Sequence, residues 1–254
     1  MKPIELLRLR NVSKTYEPIK GEAVEAIREI SFSLVDGEVL ALVGPSGCGK
    51  STMLRLIAGV EMPTSGNIER AGGAGNKQFL VGYVFQDSSL MRWRTVQDNI
   101  RLPLEVLGRN DARRVTEMIR LVGLTGFERA YPIELSGGMQ RRVAIARALI
   151  HEPSVLLMDE PFTGVDELTK ETLEAELNHL IRRIHVTGVL VTHDIEEAVY
   201  IANRVLVMSP RPGTIIEEIK VPLADRREPD MRAEKPFIDC CRVIREKLNL
   251  LHAA

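Results

Sequence analysis

The loop from residue 44 to residue 51 constrains this chain more than any other stretch. It fits the pattern G-x-x-x-x-G-K-S/T, in which backbone N–H groups surround phosphate oxygens, and its residues are Gly44, Pro45, Ser46, Gly47, Cys48, Gly49, Lys50 and Ser51. Glycine suits such a loop because a Cβ would intrude where the backbone curls and approaches a phosphate. The pattern assigns Lys50 to the β- and γ-phosphates and makes the Ser51 hydroxyl a ligand for Mg²⁺. The loop therefore predicts a site for the phosphates of a nucleotide, without telling which nucleotide.

The segments on either side of this loop support the same interpretation. Val39–Val43 is a continuous apolar run, as expected of a strand that is buried on both faces. Thr52–Ala58 reads as a helix that ends at Gly59. The start of this helix would direct its unpaired N–H groups at the phosphates. Thr52 is therefore included among the candidate nucleotide-binding residues.

Composition and length are those of a soluble globular protein with a large core. The chain has 254 residues, of which 44% are hydrophobic and 27% charged. A formal net charge of −1 gives no sign of a nucleic-acid-binding protein. No apolar run approaches the ~20 residues of a membrane helix, and charged residues near the N-terminus argue against a signal peptide. The three cysteines have no C-x-x-C spacing, so we expect a reducing cytosol.

Two adjacent carboxylates end another short apolar run. Val155–Met158 is followed directly by Asp159 and Glu160. In an open α/β sheet the ligand lies at the carboxyl ends of the strands, and paired carboxylates there are costly unless a cation binds. We therefore expect Asp159 to face Mg²⁺ together with Ser51, and Glu160 to polarise a water molecule. The alternative is a solvated turn.

Three single residues each allow two interpretations. Tyr16 is either a packing residue at a strand edge or an aromatic face on which a purine stacks. Ser136 is the expected cap of a helix from Met139 to Ile150. With Gly137 and Gly138 it forms either a second anion-binding site at the start of that helix or an ordinary Ser-Gly-Gly loop. His193 follows the apolar strand Val189–Thr192 and is either an exposed residue or a functional one.

The remaining pattern divides the chain into strands and helices. Residues 4–43 read as strands and turns, and a further buried strand, Leu80–Phe85, ends at Gln86. Thr95 and Asp111 are expected N-caps of helices over residues 96–106 and 112–121. Turns are expected at residues 63–66 and 209–213, a flexible loop at 71–75, a charged linker at 225–236 and an amphipathic helix near 237–251.

With these residues assembled, the chain resembles the ATP-binding subunit of an ABC transporter over nearly its full length. The motifs occur in the order of that family. They are Tyr16 for the adenine-stacking aromatic, Gly44–Ser51 for Walker A, Gln86 for the Q-loop, Leu135–Gly138 for the signature, Asp159 and Glu160 for Walker B and the catalytic glutamate, Asp166 for the D-loop, and His193 for the switch histidine. The resemblance favours the functional interpretation of Tyr16, Ser136 and His193.

The resemblance implies an α/β fold with a P-loop NTPase (RecA-like) core, an N-terminal antiparallel β subdomain and an inserted α-helical subdomain. Residues 1–86 and 151–222 would form the core with its β subdomain, 87–150 the helical subdomain with the signature, and 223–254 a C-terminal linker and helix.

The resemblance also implies how ATP and Mg²⁺ are bound and used. The catalytic residues would be Glu160, His193, Gln86 and Lys50, and the metal ligands Ser51, Gln86 and Asp159. Two copies, or this chain and a close paralogue, would form a head-to-tail dimer with Ser136, Gly137 and Gly138 of one copy facing the ATP of the other. Water would then attack the γ-phosphate in line.

Two motifs depart from the family pattern. Met139 stands at the fifth signature position, where glutamine is usual, and the D-loop reads Thr163-Gly164-Val165-Asp166 in place of Ser-Ala-Leu-Asp. The catalytic carboxylate is unaffected. Cys48 lies inside the phosphate loop, so oxidation of this thiol is a further hypothesis for blocking ATP binding.

The expected partners are membrane proteins. Residues 86–95 would dock on transmembrane permease subunits, because Trp93, Met91 and two arginines are types enriched in interface hot spots. The alternative for Trp93 is an anchor in the core of the helical subdomain. The chain would lie peripherally at the cytoplasmic face of the cell membrane and be linked indirectly to a periplasmic or lipid-anchored solute-binding protein, with no nucleic acid as partner.

The segments 90–99 and 209–213 resemble the nitrate, sulfonate and taurine branch of ABC importers. Another solute, such as bicarbonate or an aromatic or pyrimidine compound, remains an alternative, as does a non-transport ABC ATPase that acts on nucleic acid. A P-loop GTPase is disfavoured because the nearest string to N-K-x-D, at residues 76–79, lacks the aspartate.

Overall fold

The computed structural model describes residues 4–17, 21–71, 78–225 and 227–252. The strands in these ranges are β1 (Glu5–Tyr16), β2 (Val24–Val35), β3 (Val39–Val43), β4 (Ser65–Arg70), β5 (Val81–Val84), β6 (Val155–Asp159), β7 (Gly188–Thr192), β8 (Arg204–Met208) and β9 (Ile215–Lys220). The helices are α1 (Lys50–Ala58), α2 (Val96–Val106), α3 (Ala112–Leu121), α4 (Gly137–Leu149), α5 (Glu167–Arg183), α6 (Ile195–Ile201) and α7 (Lys235–His252).

The strands form two sheets. A three-stranded antiparallel sheet has the order β2-β1-β4, and a six-stranded sheet has the order β5-β6-β7-β3-β8-β9. In the larger sheet all neighbours pair in parallel except β9, which runs antiparallel to β8. This architecture confirms the predicted fold class, an α/β core with an antiparallel β subdomain and inserted helices.

The register of the larger sheet brings the polar strand ends to one edge. Val43 pairs with Thr192, and Asp159 pairs with Val191. The strands β3 and β7 are buried at every position, as their apolar sequences predict for a sheet covered on both faces. The loops after β3, β6 and β7 therefore emerge side by side, which is where an open α/β sheet binds its ligand.

The helices between residues 96 and 149 pack on one another, and α4 also packs on β5. Thr95 accepts a hydrogen bond from the N–H of Asp98, and Asp111 one from the N–H of Arg114, which confirms both predicted N-caps. Asn99 on α2 is fully buried, and its amide contacts the backbone of Met91, Arg94 and Thr95. The segment that precedes α2 is therefore fastened to this helix.

Three segments differ from the sequence-based expectation. Two strands were not predicted: β4, which begins inside the expected turn at 63–66, and β9. Residues 227–233, expected as part of a linker, contain a 3-10 turn (Pro229–Ala233), and Arg227 is buried. The apolar face of α7 covers this region of the core through Phe237, Cys240 and Ile244. The glycine-rich loop predicted at 71–75 lies, after Ala71, outside the described residues.

None of the helices in the described ranges is both long enough and apolar enough to cross a membrane.

Candidate functional site

The loop Gly44–Ser51 joins β3 to α1 with its backbone N–H groups at the start of the helix. Gly47 and Gly49 have left-handed backbones, with φ of 76° and 100°. A Cβ on Gly49 would lie 2.5 Å from Ile27 Cγ2, so this position requires glycine. Lys50 is buried in the loop, where its Nζ donates hydrogen bonds to the carbonyls of Gly44 (2.8 Å) and Pro45 (3.1 Å). The loop thus combines a helix N-terminus with a lysine ammonium, and this combination suits phosphate binding.

Ser51 and Asp159 meet at the edge of the sheet. The Ser51 hydroxyl donates a hydrogen bond of 3.0 Å to Asp159 Oδ1, and the Tyr83 hydroxyl lies 3.3 Å from Asp159 Oδ2. Burial and the Asp159 carboxylate raise the pKa of Tyr83, so its hydroxyl stays protonated and donates. A hydroxyl and a carboxylate side by side are hard oxygen ligands, and this donor set fits Mg²⁺ that is shared with phosphate oxygens.

Glu160 and His193 directly follow the adjacent strands β6 and β7 and meet at the same edge of the sheet. Nδ1 of His193 lies 3.3 Å from Oε2 of Glu160, and the Thr163 hydroxyl donates to the same oxygen at 3.0 Å. The backbone of Glu160 is left-handed, with φ of 45°, and is held by hydrogen bonds to Val191 and Thr163. A non-glycine residue rarely adopts this conformation, and such strain is concentrated at functional sites. The side chain of His193 is exposed, and that of Glu160 is partly exposed.

Tyr16 lies at the end of β1, beside the start of α1. Its hydroxyl donates a hydrogen bond of 2.6 Å to Glu61 Oε2 and lies 3.3 Å from the Thr52 hydroxyl. Burial and the Glu61 carboxylate raise the pKa of Tyr16. The Lys14 ammonium is 5.1 Å from the centre of the ring. These contacts fix the Tyr16 ring next to the phosphate loop. The role of Glu61 in holding the Tyr16 hydroxyl was not predicted from the sequence.

Gln86 follows β5, and its backbone is held by hydrogen bonds from α4. The buried Arg141 of α4 donates to the carbonyl oxygens of Phe85 (2.8 Å) and Gln86 (2.7 Å). Arg147, six residues further along α4, donates to the carbonyls of Ser88 (3.0 Å) and Ser89 (2.9 Å). The sequence gives no signal for this arrangement, because arginines on a helix usually face solvent. The side chain of Gln86 itself is exposed.

The signature residues Leu135–Gly138 lie at the start of α4. The Ser136 hydroxyl accepts from the N–H of Met139 at 3.3 Å, which confirms the predicted cap of α4. Ser136 and Gly137 are exposed, and Gly138 lies against Thr169 of α5. Asp166 caps α5 by accepting from the N–H of Thr169. Hydrogen bonding to the side chain of Thr169, and then to its backbone, lowers the pKa of Asp166. Among the described residues, no hydrogen bond joins Ser136 to the loop Gly44–Ser51.

The environment of Cys48 does not favour its oxidation. The side chain is 1% exposed, and burial raises the pKa of its thiol. The thiolate is the reactive species, so a buried thiol with a raised pKa reacts slowly. The hypothesis of a redox-regulated phosphate loop is therefore not supported.

Trp93 does not anchor the core of the helical region, because 75% of it is exposed. Next to it, Met91 lines an open groove of about 490 Å³ together with Phe85, Pro103 and Val106. Phe85 stacks on Tyr83 with ring centres 4.3 Å apart, and Val106 is 78% exposed. This exposed surface is the kind of apolar patch that marks protein–protein contact.

Comparison of this chain with known proteins identifies the family to which it belongs. The family model described as "ABC transporter" matches residues 27–163, more than half of the chain. An uncharacterized ABC transporter ATP-binding protein of Methanocaldococcus jannaschii is 43% identical over 252 residues, which cover 96% of this chain and 91% of that protein. The aliphatic sulfonates import ATP-binding protein SsuB 2 of Pseudomonas syringae pv. tomato is 47% identical over 80% of this chain and 85% of its own length. SsuB of Bacillus subtilis is 42% identical, with 84% and 86% covered.

Solved structures of ATP-binding cassettes have the same fold as this chain. The ATP-binding cassette MJ0796, described as a dimeric post-hydrolysis state bound to ADP and Pi, superimposes with a TM-score of 0.71 at 31% identity and covers 88% of this chain and 100% of the other. A second dimeric structure of MJ0796, described as a bacterial ABC transporter cassette, gives a TM-score of 0.72 at 32% identity with the same coverage. Sequence and fold therefore agree that this chain belongs to the ABC transporter family, as an ATPase that hydrolyses ATP to drive transport.

Proposed function

We propose that this chain is the ATP-hydrolysing subunit of a membrane importer for a small oxyanion, such as nitrate, a sulfonate or taurine. The observation that carries the enzymatic part is the pairing of Ser51 with Asp159 and of Glu160 with His193 at one edge of the sheet. Both pairs lie beside the phosphate loop. The oxyanion part rests on relatives whose names specify the import of aliphatic sulfonates, at 42–47% identity.

In this proposal the phosphates of ATP lie on the loop Gly44–Ser51 at the start of α1. Lys50 would exchange its carbonyl contacts for the β- and γ-phosphates, and Tyr16 would stack on the adenine. Glu160 accepts the proton of the attacking water or orients that water, while His193 and Gln86 contact the γ-phosphate or the water. Positioning and charge neutralisation carry this reaction, because the protein forms no covalent bond to the phosphate.

Mg²⁺ would be held by Ser51 and Asp159, with Gln86 as a further ligand. The closeness of the Ser51 hydroxyl to the Asp159 carboxylate supports this assignment. When bound, the ion neutralises negative charge on the β- and γ-phosphates. Tyr83 orients the second carboxylate oxygen of Asp159 and so fixes the direction of the ligand.

The active form in this proposal is a dimer with ATP between the two copies. Among the described residues, Ser136 makes no hydrogen bond to the phosphate loop of its own copy, which supports a dimer, as does the dimeric state given for MJ0796. In a head-to-tail arrangement, Ser136, Gly137, Gly138 and Asp166 of one copy complete the site of the other. A two-fold axis then generates two equivalent sites.

Transport requires a membrane partner. We assign the docking of permease subunits to residues 86–95 and the adjoining groove, because Trp93 and Val106 are exposed there. The subunit would lie at the cytoplasmic face of the membrane and reach the solute-binding protein only through the permease.

The experiment that tests this function uses the variant Glu160→Gln with ATP and Mg²⁺. We expect the purified variant to form a dimer on ATP addition, measured by light scattering after size exclusion, while ADP leaves it monomeric. A variant that stays monomeric with ATP, and that also fails to pair within the membrane complex, would refute the proposal. The solute is tested separately, by asking whether sulfonates, nitrate or taurine stimulate ATP hydrolysis by the reconstituted transporter.

A further inference from the structure

The turn that carries His193 is shaped by the carboxylate of the next residue. Asp194 Oδ1 accepts hydrogen bonds from the N–H groups of Glu196 (2.8 Å) and Glu197 (3.2 Å). The N–H of Asp194 donates to the Thr192 hydroxyl at 3.0 Å. The backbone on both sides of His193 is thereby fixed, so a shift of the Asp194 carboxylate would move the imidazole.

The second oxygen of Asp194 pairs with Lys170 of α5. The same ammonium lies 3.8 Å from Oε1 of Glu174, one turn further along that helix. Glu174 is only 1% exposed. A carboxylate buried to this degree is very costly without cationic partners, so Glu174 competes with Asp194 for Lys170.

The C-terminal segment supplies a second cation. Arg232, in the 3-10 turn Pro229–Ala233, pairs with Glu174 Oε2. Its guanidinium lies 4.3 Å from the centre of the Tyr200 ring on α6. The Tyr200 hydroxyl in turn donates to the Arg227 carbonyl at 3.2 Å. Arg232 is therefore held against α6, the helix that Asp194 caps.

The charges of this group balance. Lys170 and Arg232 face the carboxylates of Glu174 and Asp194. Glu197 lies beside them and is held protonated at neutral pH, because burial and the Glu174 charge raise its pKa to about 8. The loss of one cation would leave more buried negative charge than the remaining cation can neutralise.

We propose that Arg232 is a positioning residue for ATP hydrolysis: by pairing with Glu174 it leaves Lys170 to hold Asp194, and so keeps His193 beside Glu160. The inference rests on the proposed roles of His193 and Glu160. It gives the C-terminal segment a part in turnover, although Arg232 touches neither of these two residues.

The test is steady-state ATP hydrolysis by the full chain, alone or in its transporter complex. We expect Arg232→Gln to lower kcat ~10- to 100-fold, as expected for a displaced catalytic group, with little change in KM. Arg232→Lys keeps the charge and should recover most of the rate. Arg242→Gln, which removes an arginine from exposed ion pairs on α7, is the matched control and should have wild-type kcat.

A second variant separates positioning from folding. In Glu174→Gln/Arg232→Gln the buried carboxylate is absent, so Lys170 stays with Asp194 and kcat should return to within about twofold of wild type. A purely structural role for Arg232 would lower the melting temperature of Arg232→Gln but leave kcat per folded molecule at the wild-type value, so both are measured. Wild-type kcat for Arg232→Gln, or a loss that the double variant does not restore, would overturn the inference.

His193→Ala distinguishes the two levels of the proposal. If this variant retains wild-type turnover, the proposed role of His193 is wrong, and the inference on Arg232 falls with it. If His193→Ala loses turnover while Arg232→Gln does not, only the inference on Arg232 is wrong.

Discussion

Nδ1 of His193 lies 3.3 Å from Oε2 of Glu160, across two adjacent parallel strands. The Thr163 hydroxyl donates to the same carboxylate oxygen, so the His193 imidazole and the Thr163 hydroxyl together orient the Glu160 carboxylate. Such a carboxylate is placed to orient water or accept its proton.

Glu160→Gln should lower the kcat of ATP hydrolysis by ~10²- to 10⁴-fold, the range for the loss of a general base. The amide keeps the shape and the hydrogen bond to Thr163, so the Kd for ATP should change little. Turnover is measured by phosphate release and binding by calorimetry. Glu171→Gln, an exposed residue of α5, is the control. Near-normal turnover in Glu160→Gln would show that another group activates the water.

The ring of Tyr16, not its hydroxyl, should carry nucleotide affinity. Tyr16→Ala should weaken ATP binding by ~1–3 kcal/mol of lost stacking. Tyr16→Phe keeps the ring and gives up the bond to Glu61, so its Kd should lie near that of wild type. Inorganic tripolyphosphate has no base and serves as the control ligand. An equal loss of affinity for ATP and tripolyphosphate in Tyr16→Ala would contradict stacking.

Trp93 should matter for assembly and not for folding. Because it is 75% exposed, Trp93→Ala should change the free energy of unfolding of the isolated chain by no more than ~0.5 kcal/mol. Pull-down with the permease should be lost, since an exposed tryptophan at an interface is a typical hot spot. Ile238→Ala, on the exposed side of α7, is the matched control. Unchanged complex formation and transport by Trp93→Ala would exclude docking at this surface.

The parts of the site that were predictable are local in sequence. The loop Gly44–Ser51 and the pair Asp159-Glu160 each form a short string after an apolar strand, so the string and its place at the sheet edge could both be inferred. The contacts of Arg141 with Phe85 and of Arg232 with Glu174 join positions far apart in the chain. Single arginines and glutamates on helices look like solvated residues until the packing that buries them is known.

The strands that were missed have a similar explanation. Five of the six residues of β4 are exposed, and β9 alternates only between intermediate and exposed positions. Both are edge strands, held by backbone pairing with β1 and β8. Because neither β4 nor β9 contains a run of buried apolar residues, their sequences carry no clear strand signal.

Asn99 should contribute strongly to stability despite being polar. Its Oδ1 accepts from the N–H of Met91, and its Nδ2 donates to three carbonyls between residues 91 and 95. Asn99→Ala leaves these groups without their partner, so the free energy of unfolding should fall by ~1–3 kcal/mol, measured by urea titration. Asn67→Ala, on the exposed strand β4, should be neutral. A neutral Asn99→Ala would show that water replaces the lost bonds.

Glu197 should make the protein less stable as the pH rises. Burial and the Glu174 charge raise its pKa from 4.5 to about 8 in the folded state. Between these two values the folded chain binds a proton that the unfolded chain has released, so the free energy of unfolding decreases with increasing pH through this window. Below it, the carboxyl is protonated in both states and has no such effect.

Replacing Glu197 by glutamine removes this titration while keeping an acceptor for the Thr192 hydroxyl. Relative to wild type, Glu197→Gln should therefore gain stability as the pH increases, with a slope of at most ~1.4 kcal/mol per pH unit. The measurement is the free energy of unfolding in urea over that range. Glu196→Gln changes an exposed carboxylate on the same helix and controls for net charge. Parallel pH profiles for wild type and Glu197→Gln would mean that Glu197 is already ionised in the folded protein at neutral pH.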